Sequence, residues 1–395
     1  MNIKHKILMW LHSFLLQLMH FERRLEPWFR SAWNYLFREP VAWVIQLLIN
    51  IQRKDEGLKI AEEKIDADEQ ESLDKIIDQM ADQMRGRFKP GGYERGGNSK
   101  THGVLHATVT IRDDIPEHCR VGVFAEAKTY PAYVRYAGPG PNVPADIEDV
   151  GFMSMSVKLM GVPGKKLMPE EKYTQDFITV TTPTFVTPNT RENAKLQYWS
   201  LLDMSLYYFL NPKDTHLLDV AMQSLWNELM SNPLGQRYWS CVPYLLGEGQ
   251  AMMYSFVPRT EVYKKIPGLP FGHVPYNYLR DNMVNTLNEK DVEFDLMIQL
   301  QTDAHKMPIE NASVRWTSPF IPVATVHIPR QQFESKALIE FTKRLKMNPW
   351  HCLAEHRPLG NQSRARQRMY FELSKFRQKM NQTSHIEPTG DEKFD

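Results

Sequence analysis

Cysteine is scarce in this chain: Cys119, Cys241 and Cys352 are the only three, and they stand far apart. With no CxxC pair and no even-numbered framework, neither a thiolate zinc site nor a disulfide scaffold is supported, and reduced thiols in a cytosol-facing protein are expected. An excess of either charge is missing too. Lys and Arg total 48 against 47 Asp and Glu, a net charge of +1 over 395 residues. The concentrated basic surface of a general nucleic-acid binder is therefore not expected, and nor is a nucleic-acid partner. Long apolar runs are lacking: "ILMWLHSFLLQLM" (7–19) and "VAWVIQLLINI" (41–51) fall short of the roughly 20 residues a spanning helix needs. Common catalytic signatures are absent as well. "PGGYERGG" (90–97) has neither GxGxxG nor GxxxxGK[ST] spacing, and there is no GxSxG elbow and no HExxH pair. His351 and His356 are five apart. His102 and His106 are four apart but lie in a segment that reads as strand, where about 13 Å would separate them, too far to share an ion.

What the chain does have is aromatic and methionine side chains, 9 Trp, 16 Tyr, 19 Phe and 20 Met, enough for a large core or an apolar cavity. Residues 1–53 combine Trp10, Trp28, Trp33 and Trp43 with Arg23, Arg24, Arg30 and Arg38, and read as amphipathic helices. They suit a membrane surface, and equally suit packing on the rest of the protein or on a second subunit. The basic "KHK" before the first run has the look of a secretory leader, but no small-residue cleavage site follows. Residues 54–90 form a charged connector, with Ile65, Leu73, Ile76, Ile77, Met80 and Met84 at helical spacing, which predicts one or two solvated helices. "FKPGGYERGG" then breaks the helix. In "VLHATVTI" (104–111), Leu105, Ala107, Val109 and Ile111 alternate with polar residues, as in a strand. Further strands are predicted at 130–138, 153–161, 176–182, 251–258, 292–301 and 320–329, with helix over about 190–232 and again from about 334. This pattern predicts an α+β fold built on an antiparallel β-barrel or sandwich with a helical insertion, occupying residues 91–380. The polar tail 381–395 is expected to be disordered.

Near the end stands "RARQRMY" (364–370), in which Arg366 and Tyr370 share a helix face at i, i+4. Alone, it reads as a basic helix with a tyrosine against the core, or as a cation beside a phenolate. The segments "RGGNSKTHGVLHATVTI", "YPAYVRYAG", "SVKLMGVPG", "QDFITVTTPTF", "MPIENASVRW" and "NPWHCLAEHRPLGNQSRARQRMY" follow one another in an order that resembles the catalase-like haem proteins, the small relatives of catalase. The likeness covers about residues 91–375 and is most specific in its closing stretch.

The resemblance implies an antiparallel barrel beside a helical region, with haem b, and so iron, between them. Catalases carry an Arg-x-x-x-Tyr element whose tyrosine is the proximal iron ligand, which places Tyr370 on the metal and Arg366 beside it. A free phenol titrates near about 10, and both ferric iron and an adjacent guanidinium favour the phenolate. Arg95 and Arg135 match arginines that face the haem propionates, and Arg357 is a further candidate. A distal histidine is expected to move a proton between peroxide oxygens. The Lys-x-His-Gly element of the small relatives selects His102, preceded by Thr101; catalase's Arg-x-x-His, counted from Arg95, selects Asn98; His106 is a third candidate. Catalase's distal asparagine falls on Val180, or on Thr181 by the pattern of the small relatives, and Phe185 would line that side. Since valine donates no hydrogen bond, the expected activity is a peroxidase or an organic or lipid hydroperoxide reaction rather than efficient hydrogen peroxide disproportionation. The expected substrate is thus a peroxide or a fatty-acid hydroperoxide. The alternative is a non-catalytic haem-binding or sensing protein, with a haem-free relic as a third reading. A homo-oligomer is left open, and the expected location is cytoplasmic, with peripheral membrane contact through residues 1–53.

Overall fold

The computed structural model describes residues 3–149 and 151–394, with side chains from residue 9 onward. Helix α1 (Ile3–Trp33) runs through a π-helical turn (Asn34–Arg38) into α2 (Glu39–Gln52), so the two predicted amphipathic segments form one long rod. Of the predicted connector helices only α3 (Glu69–Arg87) forms. The chain before it is irregular, with Gly57 and Ala61 in the left-handed region at φ 67° and 59°. Nor is α3 solvated. Leu73, Ile76, Ile77, Met80 and Met84 are buried with Ala365 and Leu373, and Ile65 is left exposed.

The seven predicted strands all form: β1 (Thr101–Ile111), β2 (Thr129–Ala137), β3 (Ser154–Leu159) and β4 (Gln175–Val180), then, after two short ones, β7 (Ala251–Pro258), β8 (Val292–Leu300) and β9 (Phe320–Ile328). The short ones are β5 (Tyr238–Trp239) and β6 (Tyr244–Leu245), two residues each and too brief to show a period. The sheet runs β5-β4-β3-β2-β1-β9-β8-β7-β6, and β5 also pairs with β7. That last pairing closes an antiparallel barrel and leaves no long edge to seal. Leu105, Val134, Val157, Phe177, Phe256, Phe294 and Val326 from the long strands share one buried cluster. The predicted helical insertion resolves into α4 (Thr190–Leu201), α5 (Ser205–Leu210) and α6 (Leu217–Ser224). Helices α7 (Tyr278–Glu289), α8 (Lys336–Arg344) and α9 (Asn361–Asn381) complete the chain. The molecule is α+β, as the alternation of periods implied.

The tail departs from expectation. Instead of lying free, it packs back on the barrel: Phe394 sits 4.9 Å from the Phe341 ring, Tyr133 donates to Glu392 at 2.8 Å, and His385 lies 3.2 Å from Glu171. Phe394, Glu392 and His385 each find a specific partner, which composition alone does not reveal.

Candidate functional site

Helix α9 is held firmly where it begins. Gly360 precedes it at φ 84°, and a Cβ there would lie 2.4 Å from the Ile309 carbonyl oxygen, so glycine is required. The buried Asn361 donates to the Glu310 carbonyl at 2.7 Å and accepts from the Thr190 amide at 3.0 Å. Arg364 pairs with Glu63 (2.7 Å), Glu69 (2.7 Å) and Glu310 (2.9 Å). From this anchor, Arg366, Tyr370 and Arg377 follow at i, i+4 and i+11, one helix face. Arg366 donates from Nη2 to the Tyr370 hydroxyl oxygen at 3.2 Å and is 7% exposed. Burial pulls its guanidinium down, but the neighbouring phenols of Tyr370 and Tyr244 outweigh that, and the net direction is up.

Across from α9 stands the barrel wall. Arg135 on β2 pairs with Ser156 on β3, and Ser156 with Ile178 on β4, so the three side chains share a face. Between wall and helix lies a cavity with about 770 Å³ of empty space, its open mouth included, lined by Arg95, Asn98, Arg135, Ser156, Tyr370 and Arg377 among others. Three guanidinium groups thus meet in one place. Each donates only to neutral oxygens: Arg95 to the Leu345 carbonyl (2.9 Å), Arg135 to the Asn98 carbonyl and the Thr101 hydroxyl (2.7 Å each), and Arg377 to the Lys343 carbonyl (2.9 Å). Arg135 Nε is buried with no partner, and Glu94, the carboxylate whose charge reaches all three, forms no ion pair with them. Burial, then the charges of Arg135 and Arg377, pushes Arg95 well below its usual value, and burial with Arg377 pushes Arg135 down to about 10. Buried cations without counter-charges are costly unless a ligand supplies the anions. The cavity lining also holds the Glu170–Lys346 pair (2.9 Å), and a ligand that brought anionic groups to the three arginines would meet Tyr370 as well.

Of the residues picked out in the sequence, Arg95, Arg135, Arg366 and Tyr370 come together here. Sequence reasoning missed Arg377, although it stands seven residues, two helical turns, beyond Tyr370. Arg357 does not reach the cavity lining; it pairs with Glu63 at 2.6 Å. On the opposite side, Asn98 lines the cavity and His102 does not. A register shift between Thr101 and Gly103 puts His102 in a fully buried pocket, its Nδ1 3.8 Å from Asp146, which Lys100 holds at 2.6 Å. His102 Nε2 has no hydrogen-bond partner. Burial, then the charges of Lys100 and Arg280, pushes the ring well below its usual value, so it is neutral at pH 7. Thr101 contributes its hydroxyl to Arg135. His106 stacks on Tyr133 (4.9 Å) and Phe394 (5.6 Å), outside the cavity lining. Val180 is half-buried between Ser154 and Trp239 in the sheet, and the Thr181 hydroxyl accepts from the Met153 amide at 3.0 Å. Phe185 packs against the barrel core and does not line the cavity.

No family model matches the chain, and no curated protein matches its sequence. Solved structures do match its fold. A bacterial catalase superposes with a TM-score of 0.52 at 14% identity, over 82% of this chain and 63% of its own. A fungal catalase gives 0.51 at 13% identity, over 79% of this chain and 66% of its own. Catalase A from Saccharomyces cerevisiae gives 0.56 at 12% identity, over 85% of this chain and 72% of its own. The chain thus has the catalase fold, and spans less than two thirds of the bacterial and fungal enzymes.

Proposed function

We propose that this chain, on its catalase fold, binds haem b between α9 and the barrel and acts on peroxides. What carries the reading is the meeting on one cavity of three arginines without ion pairs, Arg135 and Arg377 buried and Arg95 half-buried, with Tyr370, which Arg366 holds. The residues present fit the group. Arg95, Arg135 and Arg377 would receive its carboxylates, Tyr370 offers an oxygen donor to its iron, and Arg366 holds that oxygen in place. Bound there, haem supplies the redox chemistry of peroxide cleavage.

The chain's own part is to hold and orient. Arg366 fixes the Tyr370 hydroxyl by its hydrogen bond, so the oxygen is aimed before any ligand arrives. His102 is shut in its own pocket with Nδ1 facing Asp146, so Asn98 rather than a histidine meets a ligand in the cavity. Val180 offers no hydrogen-bond donor where the resemblance to catalase places an asparagine, and Thr181 accepts from the Met153 amide and keeps one hydroxyl proton to donate. A small peroxide thus has fewer donors to hold it than in catalase, whereas an organic hydroperoxide brings apolar surface of its own. Fatty-acid hydroperoxides are therefore the favoured substrates, by rearrangement, or by reduction at the expense of a separate electron-donor substrate. Purified protein supplied with haem is expected to consume linoleate hydroperoxide faster than hydrogen peroxide. If it consumes neither, the enzymatic reading fails.

A further inference from the structure

The rod formed by α1, the π turn and α2 is amphipathic with its faces reversed. Its described arginines point into the protein. Arg23 reaches the Asp149 carbonyl and Asn227 (2.9 Å), Arg30 reaches the carbonyls of Ser224 and Asn227 (2.9 Å each), and Arg38 pairs with Glu228 at 2.6 Å. Its apolar side chains point outward. Trp10, Trp28 and Trp43 are each 68% exposed, and more than half of the large apolar side chains exposed anywhere among the described residues lie between Met9 and Ile51. Exposed charge on that stretch comes from Glu22 and Glu39, and Arg315 holds Glu39 at 2.6 Å. Water does not favour such a face, and apolar patches this extensive mark interaction sites.

We propose that this face seats the protein in the acyl–headgroup boundary of a lipid surface. Two features favour lipid over a second copy. The band is wide, because adjacent pairs (Trp10 and Leu11, Trp28 and Phe29, Trp43 and Val44) are exposed together. A paired helix covers a two-in-seven seam and would leave one member of each pair in water, whereas a planar surface covers both. The band is also long and almost without charge. Residues 3–52 extend about 75 Å at 1.5 Å per residue, and Phe271, 76% exposed, prolongs the surface beside Trp28 at 6.5 Å. No helix among the described residues is long and apolar enough to cross a membrane, so the rod lies along the surface. With Arg23, Arg30 and Arg38 turned inward, binding comes from apolar insertion and owes little to anionic lipid.

The inner side of the rod packs on the barrel. Ala42, Ile45 and Ile49 of α2 are buried in one cluster with Trp226 and Val314, against which Trp239 packs, and Trp239 is the sheet neighbour of Val180. The docking stands by itself; that it supplies a membrane-born fatty-acid hydroperoxide rests on the function proposed above. Full-length protein is expected to float with phosphatidylcholine vesicles and to stay bound between about 0.1 and about 1 M salt. Brominated phosphatidylcholine is expected to quench its tryptophan emission. The triple variant Trp10→Glu, Trp28→Glu, Trp43→Glu is expected to lose binding by about tenfold or more while keeping its circular dichroism. Wild-type protein that does not float, that floats only with anionic vesicles and is released by salt, or whose emission the brominated lipid leaves unquenched, overturns the proposal. So does a triple variant that still floats, or one that merely turns a dimer into a monomer. None of these readouts needs haem or peroxide, so failure here and failure of the enzymatic reading are separable.

Discussion

Arg366 and Tyr370 occupy one turn of α9, and the 3.2 Å donation between them is the shortest link between the helix and the chemistry proposed for it. A guanidinium at that distance holds the phenolic oxygen in one orientation, ready to serve as a ligand. Arg366→Leu is therefore expected to weaken haem binding by about tenfold, read by haem titration at the Soret band. An unchanged affinity would show that the guanidinium has only a packing role. This pair was legible in the sequence because i, i+4 spacing survives any choice of helix boundary. Arg377 was equally written in the spacing, two turns on, but nothing near it in the chain signals a partner. The other side was not legible. Whether Asn98 or His102 faces the cavity depends on a register shift between Thr101 and Gly103 and on a pocket closed by Asp146, far along the chain.

At the scale of elements, the position of Tyr370 depends on how α9 is fixed at its start. Arg364 gathers Glu63, Glu69 and Glu310 from three different segments and is mostly shielded from solvent. Removing it leaves three carboxylates facing one another, a change that costs about 3–5 kcal/mol where such a network is buried. Since these groups keep some water access, Arg364→Leu is expected to destabilise the fold by about 2–3 kcal/mol, read as a lower urea midpoint at unchanged slope. No loss would mean that Gly360 and Asn361 hold the helix alone. The long strands were readable where one face meets solvent, as in β1, where His106, Thr108 and Thr110 alternate with buried Ala107, Val109 and Ile111. The two-residue β5 and β6 were not, and β5 is what closes the barrel.

Over the whole molecule, a buried set of charges joins β3, β4, the approach to α9 and the tail. His351 lies 2.8 Å from Glu170 and 3.1 Å from both Glu171 and Asp176, while Lys158 pairs with Asp176 at 2.6 Å. Burial and Lys158 oppose the charging of His351, but Asp176, Glu170 and Glu171 outweigh them and push it up to about 10. Burial likewise opposes the charging of Glu170, yet His351 and Lys346 bring it down to about 2. A raised histidine stabilises fully below its unfolded value of 6.5 and loses that contribution as pH rises through about 10. A depressed glutamate stabilises above its unfolded value of 4.5 and loses that contribution as pH falls through about 2. The two contributions are therefore complete together between pH 4.5 and 6.5. Thermal unfolding is expected to show wild type most superior to His351→Gln in that window, with the difference shrinking toward pH 10. A difference that is flat in pH would place the proton elsewhere.

The central claim, that Tyr370 is an oxygen ligand to a bound haem iron, meets its most direct test in one comparison. Wild type and Tyr370→Phe, each supplied with haem, are compared by absorbance and by resonance Raman, with ring-deuterated tyrosine incorporated in both. Wild type is expected to show phenolate modes that shift on deuteration, and the variant is expected to lose those modes together with most of its haem. Identical Soret bands, equal haem content and no deuterium-sensitive modes in wild type would contradict it.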